Sequence, residues 1–168
     1  MPLPLLLDAA TLSAFPALMA FAAICDFLTM TIPNRVSIAL AGLFLMMALA
    51  CRLSVSVIAL HFACGAAMLL VTFAMFSRGW IGGGDAKLAA TTAIWLGFDH
   101  LGDYALIASL LGGLLTVAIL GLRQWPWPVR GWHVFDPAAG IPYGVALAAA
   151  GLLVYPSTAI WLATASFH

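Results

Sequence analysis

The sequence has little charge and no glutamate. Only 7% of its 168 residues are charged, with six basic and six acidic side chains, and every acid is an aspartate. A soluble domain would carry roughly a quarter charged residues, so this chain cannot cover a globule with polar surface. Hydrophobic residues make up 65% of the sequence, and the mean hydropathy is +1.13. The composition therefore predicts an integral membrane protein.

Other absences narrow the possible functions. The net charge is zero and there is no basic cluster, which argues against a nucleic-acid partner. None of the three cysteines (Cys25, Cys51 and Cys64) belongs to a C-x-x-C pair, which argues against a zinc knuckle or a redox motif. The four histidines are scattered along the chain. We therefore expect no metal and no cofactor, and the sequence does not indicate an oligomeric state.

Apolar runs predict an all-α, polytopic membrane protein with about six spans, forming one domain over residues 1–168. Five of the six runs are close to the length of about 20 residues that crosses a bilayer. The predicted spans are 10–31, 36–53, 55–76, 86–99, 103–122 and 141–165. The fourth is the shortest, and we expect either an extension through Trp80-Ile81 or a broken helix that starts at a run of three glycines. Irregular backbone at membrane depth indicates a site buried in protein or a watery cleft.

The basic residues predict the orientation. If the N-terminus is outside, five of the six fall in inner loops: Arg35, Arg78, Lys87, Arg123 and Arg130. Only Arg52 falls outside. Under the positive-inside rule, we expect both termini outside in a multi-pass protein of the cytoplasmic (inner) membrane. Asp26 and Asp85 then lie on the same side, near the cytoplasmic surface.

The first polar motif surrounds Asp26, near the end of the first span. Pro33 restricts Ile32 to extended geometry and so ends the span, and Asn34 can cap the next helix. An acid at a helix centre in hydrocarbon costs about 2.5 to 3.5 kcal/mol on insertion scales. Taken alone, Asp26 is either a functional carboxylate or an interfacial residue hydrogen-bonded to a neighbouring helix.

The second motif is Asp85, which directly follows Gly82-Gly83-Gly84. Glycines permit positive φ and close approach of a ligand to the backbone, so we expect an open backbone beside Asp85 that admits an extended substrate. Asp85 either acts chemically or caps the fourth helix. Lys87 either reaches the membrane interface or influences a nearby carboxylate. Without a G-K-[ST] sequence, the glycines are a weak indication of nucleotide binding.

Together the motifs resemble the type IV prepilin peptidase family, the G-x-G-D membrane aspartic proteases. The resemblance rests on Asp26 with Ile32-Pro33-Asn34, on the run from Gly82 to Leu88, and on Ile141-Pro142-Tyr143-Gly144. It covers roughly residues 20–165. It implies a six-span fold and removal of prepilin leader peptides at the cytoplasmic membrane face, with Asp26 and Asp85 as the catalytic pair.

We assign the remaining motif residues lesser roles. The backbone of Gly82, Gly83 and Gly84 is expected to face the substrate, and the expected supporting residues are Lys87, Pro33, Asn34, Pro142, Tyr143 and Gly144. Bifunctional members of the family carry a cytoplasmic domain with two C-x-x-C pairs and a methyltransferase activity. This chain has only a few residues between spans one and two, so it resembles the short peptidase-only branch that serves Flp/Tad-type pili.

Peptide hydrolysis needs an activated water and a proton for the leaving nitrogen. Two neighbouring carboxylates supply both, because like charges about 3 Å apart cannot both ionise easily and the pair keeps a shared proton. Which aspartate is the acid and which is the base stays open. The main alternative is a small transporter that uses the same aspartates as proton or cation sites beside a glycine-broken helix. A related archaeal preflagellin-type peptidase also stays open.

Overall fold

The structure is a computed structural model that describes residues 3–124, 134, 136, 139–158 and 161–162, with side chains from residue 12 onward. Within these ranges all regular secondary structure is helical, which confirms the predicted all-α polytopic membrane fold. The α-helices are α1 (Leu3–Thr29), α2 (Asn34–Ala50), α3 (Val55–Ser77), α4 (Gly83–Leu96), α5 (Leu101–Arg123) and α6 (Tyr143–Val154). Short 3-10 helices occupy Phe98–His100 and Tyr155–Ser157.

Three stretches are long and apolar enough to cross a membrane: Leu12–Thr29, Val55–Ser77 and Phe98–Arg123. The helical stretches Asn34–Ala50 and Tyr143–Ser157 are apolar but shorter. The fourth helix has 14 residues. At about 1.5 Å per residue it is about 21 Å long, which is less than the roughly 30 Å of a hydrocarbon core.

Helix α4 lies at the centre of the bundle. It packs against α2, α3 and α6, while α6 also packs against α1 and α5. One face of α4 carries the small buried residues Ala86, Ala89, Ala90 and Ala93. Small side chains let neighbouring helices approach closely in a membrane. The short α4 is therefore enclosed by α2, α3 and α6.

An aromatic cluster closes the end of the bundle that lies farther from Asp85. Phe15, Phe44, Trp95 and Tyr155 are buried and stack in tilted or edge-on pairs, with ring centroids 4.4 Å apart for Phe15 and Tyr155. The indole Nε1 of Trp95 donates a hydrogen bond of 2.9 Å to the carbonyl oxygen of Leu40. The cluster packs α1, α2 and α4 together at this end of the bundle.

Two predicted span boundaries near the polar motifs are corrected. The first helix ends at Thr29 rather than at 31, because Met30 adopts a left-handed φ of 52° that stops the helix. The fourth helix begins at Gly83 rather than at 86, which agrees with the predicted alternative of a helix that starts at the glycine run. Trp80-Ile81 does not extend α4, because Gly82 has extended backbone at the helix cap.

The predicted last span, 141–165, is not one continuous α-helix in the described residues. Helix α6 ends at Val154 and passes into a 3-10 turn that contains Pro156. Proline lacks the N–H that would continue an α-helix, which explains the early end. Residues 159–160 and 163–165 of the predicted span, and Arg130 of the predicted third inner loop, fall outside the described residues.

The short connections after α1 and α3 make each of these helices antiparallel to the next. Arg123, at the end of α5, donates a hydrogen bond of 2.9 Å to the carbonyl oxygen of Gly140, just before α6. The ends of α1, α3 and α5 therefore lie with the starts of α2, α4 and α6 at one end of the bundle. Four basic residues lie at these helix ends: Arg35, Arg78, Lys87 and Arg123. Arg52 lies at the opposite end, between α2 and α3. Under the positive-inside rule this basic end is expected in the cytoplasm, and that assignment stays a prediction.

Candidate active site

Asp26 lies in the last turn of α1 with its side chain 5% exposed. Its Oδ2 accepts a hydrogen bond of 2.7 Å from the backbone N–H of Gly144, the second residue of α6. The first N–H groups of a helix have no partner within the helix, and the helix dipole favours negative charge there. The carboxyl group of Asp26 therefore binds the start of α6, which is 118 residues away in sequence.

Asp85 lies in the first turn of α4 with its side chain 9% exposed. Its Oδ2 accepts a hydrogen bond of 3.2 Å from the backbone N–H of Gly82. Asp85 therefore does help to cap its own helix, as one of the two sequence interpretations held. The capping bond orients the Asp85 side chain at the start of α4, and a capping carboxyl group can also take part in proton transfer.

Both acids lie near the start of α6. Asp26 accepts the Gly144 N–H, and Ile32, which packs against Gly144, also packs against Gly84 in the same helical turn as Asp85. Among the described residues, no basic side chain neutralises either acid. Two buried acids without a cationic partner are costly to fold, and polar groups kept at such a cost usually serve a function.

Ile32 fills the space between the two acidic helix ends. It is buried, and a Cβ built on Gly144 would lie 2.7 Å from its Cδ1. A Cβ built on Gly84 would lie 3.2 Å from the Cβ of Ile32. Sequence reasoning assigned Ile32 no role of its own. The available signal was its position before Pro33, which holds an apolar side chain on extended backbone beside Asp26.

Two of the three glycines pack within the protein, and the substrate-facing role of the glycine backbone stays a prediction. Gly83 packs against the ring of Phe76, and Gly84 packs against Ile32. None of the three glycines has a left-handed φ. The small size of Gly83 and Gly84 is used for packing within the protein, and of the three only Gly82 is exposed.

Asn34 and Lys87 join the starts of two helices. Pro33, not Asn34, occupies the cap position of α2, so the predicted capping role of Asn34 is wrong. The Oδ1 of Asn34 instead accepts a hydrogen bond of 2.9 Å from Nζ of Lys87. Both side chains are exposed, and the bond links the turn after Asp26 to the helix that carries Asp85.

Pro142 and Tyr143 hold the start of α6 in place. Pro142 is fully buried and precedes the helix. The Tyr143 hydroxyl lies 3.2 Å from Oγ1 of Thr116 on α5, and its ring covers Gly112 so closely that a Cβ there would lie 2.9 Å from it. These contacts anchor α6 on α5 and thereby position the Gly144 N–H.

Comparison with known families gives one relevant match. A sequence model of the type IV leader peptidase family matches residues 13–117, which is more than half of the chain and includes Asp26, Asp85 and the segment between them. Residues 141–144, where α6 begins, lie beyond the matched segment. No curated protein and no solved structure matches the chain.

Proposed function

The chain belongs to the type IV leader peptidase family, and from this premise we propose that it is a membrane aspartic endopeptidase whose catalytic pair is Asp26 and Asp85. The proposed substrates are type IV prepilins of the Flp/Tad-like class, which lose their leader peptides at the cytoplasmic face of the inner membrane. One observation supports the proposal most directly: two buried acids from helices far apart in the chain lie on either side of Ile32, and each accepts a backbone N–H at the start of a helix.

In the proposed reaction, water adds to the carbonyl carbon of the scissile peptide bond. The ionised carboxylate accepts a proton from the water as its oxygen bonds to carbon, and the protonated carboxyl group delivers a proton to the leaving nitrogen. The C–N bond then breaks, which yields a new carboxyl terminus on the leader and a new amino terminus on the mature protein. Either aspartate can hold the shared proton, because two neighbouring carboxyl groups titrate as a unit.

The helix starts would keep this pair aligned during the reaction. Asp26 is held by the Gly144 N–H and Asp85 by the Gly82 N–H. Both donors are backbone groups on regular or capping backbone, so they cannot rotate away as side chains can. A site supported in this way is pre-organised, which is a large part of what enzymes contribute to catalysis.

Two further observations support the finer parts of the proposal. Arg35, Arg78 and Lys87 lie at the same end of the bundle as the aspartates, which favours a cytoplasmic location under the positive-inside rule. The connection between α1 and α2 consists of residues 30–33. It has no room for an inserted cysteine-containing domain, which favours cleavage without N-methylation.

The decisive test is leader removal from a Flp-type prepilin in membranes. Asp26→Asn and Asp85→Asn keep the shape and hydrogen-bond acceptor of each side chain, so we expect both variants to insert normally and to cleave at least about 10³-fold more slowly. Asp103→Asn, an exposed acid at the other end of the bundle, is the matched control and should cleave normally.

Gel analysis gives the rate, and mass spectrometry of the mature protein gives the cleaved bond and reports whether the new amino terminus is methylated. Normal cleavage by either aspartate variant would contradict the catalytic pair. An ion flux in proteoliposomes that depends on both aspartates, without cleavage, would favour the transporter interpretation instead.

A further inference from the structure

A cavity of about 240 Å³ lies at the end of α4 that is farther from Asp85. Its walls are the first half of α3, the last turn of α4 and the 3-10 turn that leads into α5. Four side chains with polar groups line it: His61, Asp99, His100 and Thr158. Neither Asp26 nor Asp85 lines this cavity, so a ligand bound here would be distinct from a substrate at the proposed active site.

His61 is held in one orientation at the cavity wall. Its Nδ1 lies 2.7 Å from the carbonyl oxygen of Ile94, and since a carbonyl oxygen can only accept, Nδ1 must be the nitrogen that donates. The ring packs against Phe44 with centroids 4.9 Å apart, and a Cβ built on Gly97 would lie 3.1 Å from its Cε1. A neutral imidazole that donates through Nδ1 keeps a lone pair on Nε2. In the described part of the chain Nε2 has no hydrogen-bond partner, so His61 can accept a hydrogen bond from a ligand.

The other polar groups of the cavity also favour a ligand that donates hydrogen bonds. Asp99 adds an exposed carboxylate to the lining, and His100 can accept as well as donate. Helix α4 ends here, and the carbonyl groups of a final helical turn lack partners within the helix and carry partial negative charge. The Thr158 hydroxyl already donates to the carbonyl oxygen of Tyr155 at 2.7 Å. Since none of the described lining residues is Lys or Arg, the cavity favours a positively charged donor.

The depth of the cavity favours a membrane lipid as the ligand. Val57 and His61 lie about 3 and 9 Å below the start of α3, at about 1.5 Å per residue from Val55. Because α3 is long enough to cross a membrane, this depth is near the boundary between the headgroups and the acyl chains. Val57, Leu60 and Phe98 of the lining are exposed apolar side chains that an acyl chain can cover.

We propose that this cavity binds the headgroup of a membrane lipid that ends in a primary ammonium group, such as phosphatidylethanolamine. A primary ammonium group has a positive charge and three N–H donors, which match Nε2 of His61 and the carboxylate of Asp99. An apolar cavity of about 150 Å³ in another protein binds benzene, so one of about 240 Å³ accommodates the smaller aminoethyl group. This binding does not depend on the proposed peptidase function.

Two other kinds of lipid headgroup lack what the cavity requires. The trimethylammonium group of phosphatidylcholine is positively charged but has no N–H to donate. The headgroup of phosphatidylglycerol carries only negative charge and would meet the carboxylate of Asp99. Comparison of the three lipids therefore separates recognition of the ammonium group from general solvation by lipid.

The test measures how lipids shift the thermal unfolding midpoint of the purified protein in detergent. Phosphatidylethanolamine, phosphatidylcholine and phosphatidylglycerol with identical acyl chains are added separately. A ligand at about 100 times its dissociation constant raises the midpoint of a protein of this size by about 5 °C or more. We expect that shift with phosphatidylethanolamine and less than half of it with the other two lipids. Free ethanolamine at the same concentration should give no shift, because it has no acyl chain.

Two variants each remove one acceptor. His61→Asn keeps an N–H near the carbonyl oxygen of Ile94 but loses Nε2, and Asp99→Asn loses the charge with little change of shape. Each should reduce the preference for phosphatidylethanolamine over phosphatidylcholine by at least half. Asp103→Asn removes an exposed acid of α5 outside the cavity and is the matched control, which should keep the wild-type preference. Each shift is measured against the same variant without lipid, so a stability change in a variant does not affect the comparison.

Equal shifts of the wild type with phosphatidylethanolamine and phosphatidylcholine would overturn the proposal, because they would show binding without recognition of the headgroup. A larger shift with phosphatidylglycerol would overturn it as well, since the protein would then prefer negative charge. An equal shift with free ethanolamine would indicate a site for soluble amines instead of a lipid. If both His61→Asn and Asp99→Asn keep the wild-type preference, the lipid binds elsewhere and the proposal is wrong.

Discussion

Gly144 is the position where the smallest change should have the largest effect on the site. A Cβ at this residue would lie 2.7 Å from Oδ2 of Asp26, 2.9 Å from its Cγ and 2.7 Å from Cδ1 of Ile32. Ordinary van der Waals contacts begin near 3.4 Å. In Gly144→Ala the Asp26 carboxyl group must therefore move by about 0.7 Å or more, since the new methyl group belongs to a helix start and cannot rotate away.

The size of the effect follows from this displacement. Misplacing a reacting group by about 1 Å can cost roughly 100-fold in rate. We therefore expect Gly144→Ala to lower the rate of leader removal by about 10- to 100-fold. The helix itself should not suffer, because alanine has a higher intrinsic helix propensity than glycine by about 1 kcal/mol.

The assay is prepilin cleavage in membranes at matched protein levels, with Gly113→Ala as the control. Gly113 lies in α5, and no atom lies within 4 Å of a Cβ built there, so this variant should cleave normally. A second variant separates the two overlaps. Ile32→Val removes the Cδ1 atom that overlaps the new methyl group. The double variant with Gly144→Ala should therefore regain the stability lost to that overlap. Its leader removal should stay slow, because the overlap with Asp26 remains. Wild-type cleavage by Gly144→Ala would refute the reasoning.

Two other predictions concern contacts that support the site. Lys87→Met and Asn34→Ala should each slow cleavage severalfold, since both remove the same hydrogen bond of about 1 kcal/mol. The double variant should therefore cleave no more slowly than the slower single variant. If the two losses in cleavage rate add in the double variant, the two residues do not act through this bond. Trp95→Phe should lower the free energy of unfolding by about 1 to 3 kcal/mol, because it removes the indole bond to the buried carbonyl of Leu40. Thermal unfolding in detergent measures this, with the exposed Trp80→Phe as the control, and equal midpoints for the two variants would contradict it.

Composition alone predicted the class of the fold correctly. A chain with 65% hydrophobic and 7% charged residues has only an all-helical or closed-barrel route across a bilayer, and its apolar runs have helical length. The boundaries were less predictable. The first helix ends two residues before the predicted end of its span, because Met30 has left-handed backbone. Helix α6 ends at Val154, eleven residues before the predicted end of the last span, and Pro156 follows.

The sequence also identified Asp26 and Asp85 as the unusual acids, because a charge beside hydrocarbon is conspicuous in any such chain. It could not decide how the glycines between α3 and α4 are used. Glycine can serve either an open backbone or close packing, and only the positions of Phe76 and Ile32 decide which applies.

The sequence by itself determined that this protein is a helical membrane protein, and its motifs indicated the family to which the chain belongs, because composition, run length and local spacing are readable along one dimension. Only the tertiary structure brought Asp26 to the Gly144 N–H and placed Asp85 in the lining of one cavity with Tyr143, the first residue of α6. The physical reason is that these contacts join helices far apart in the chain, and they depend on how closely α1, α4 and α6 pack.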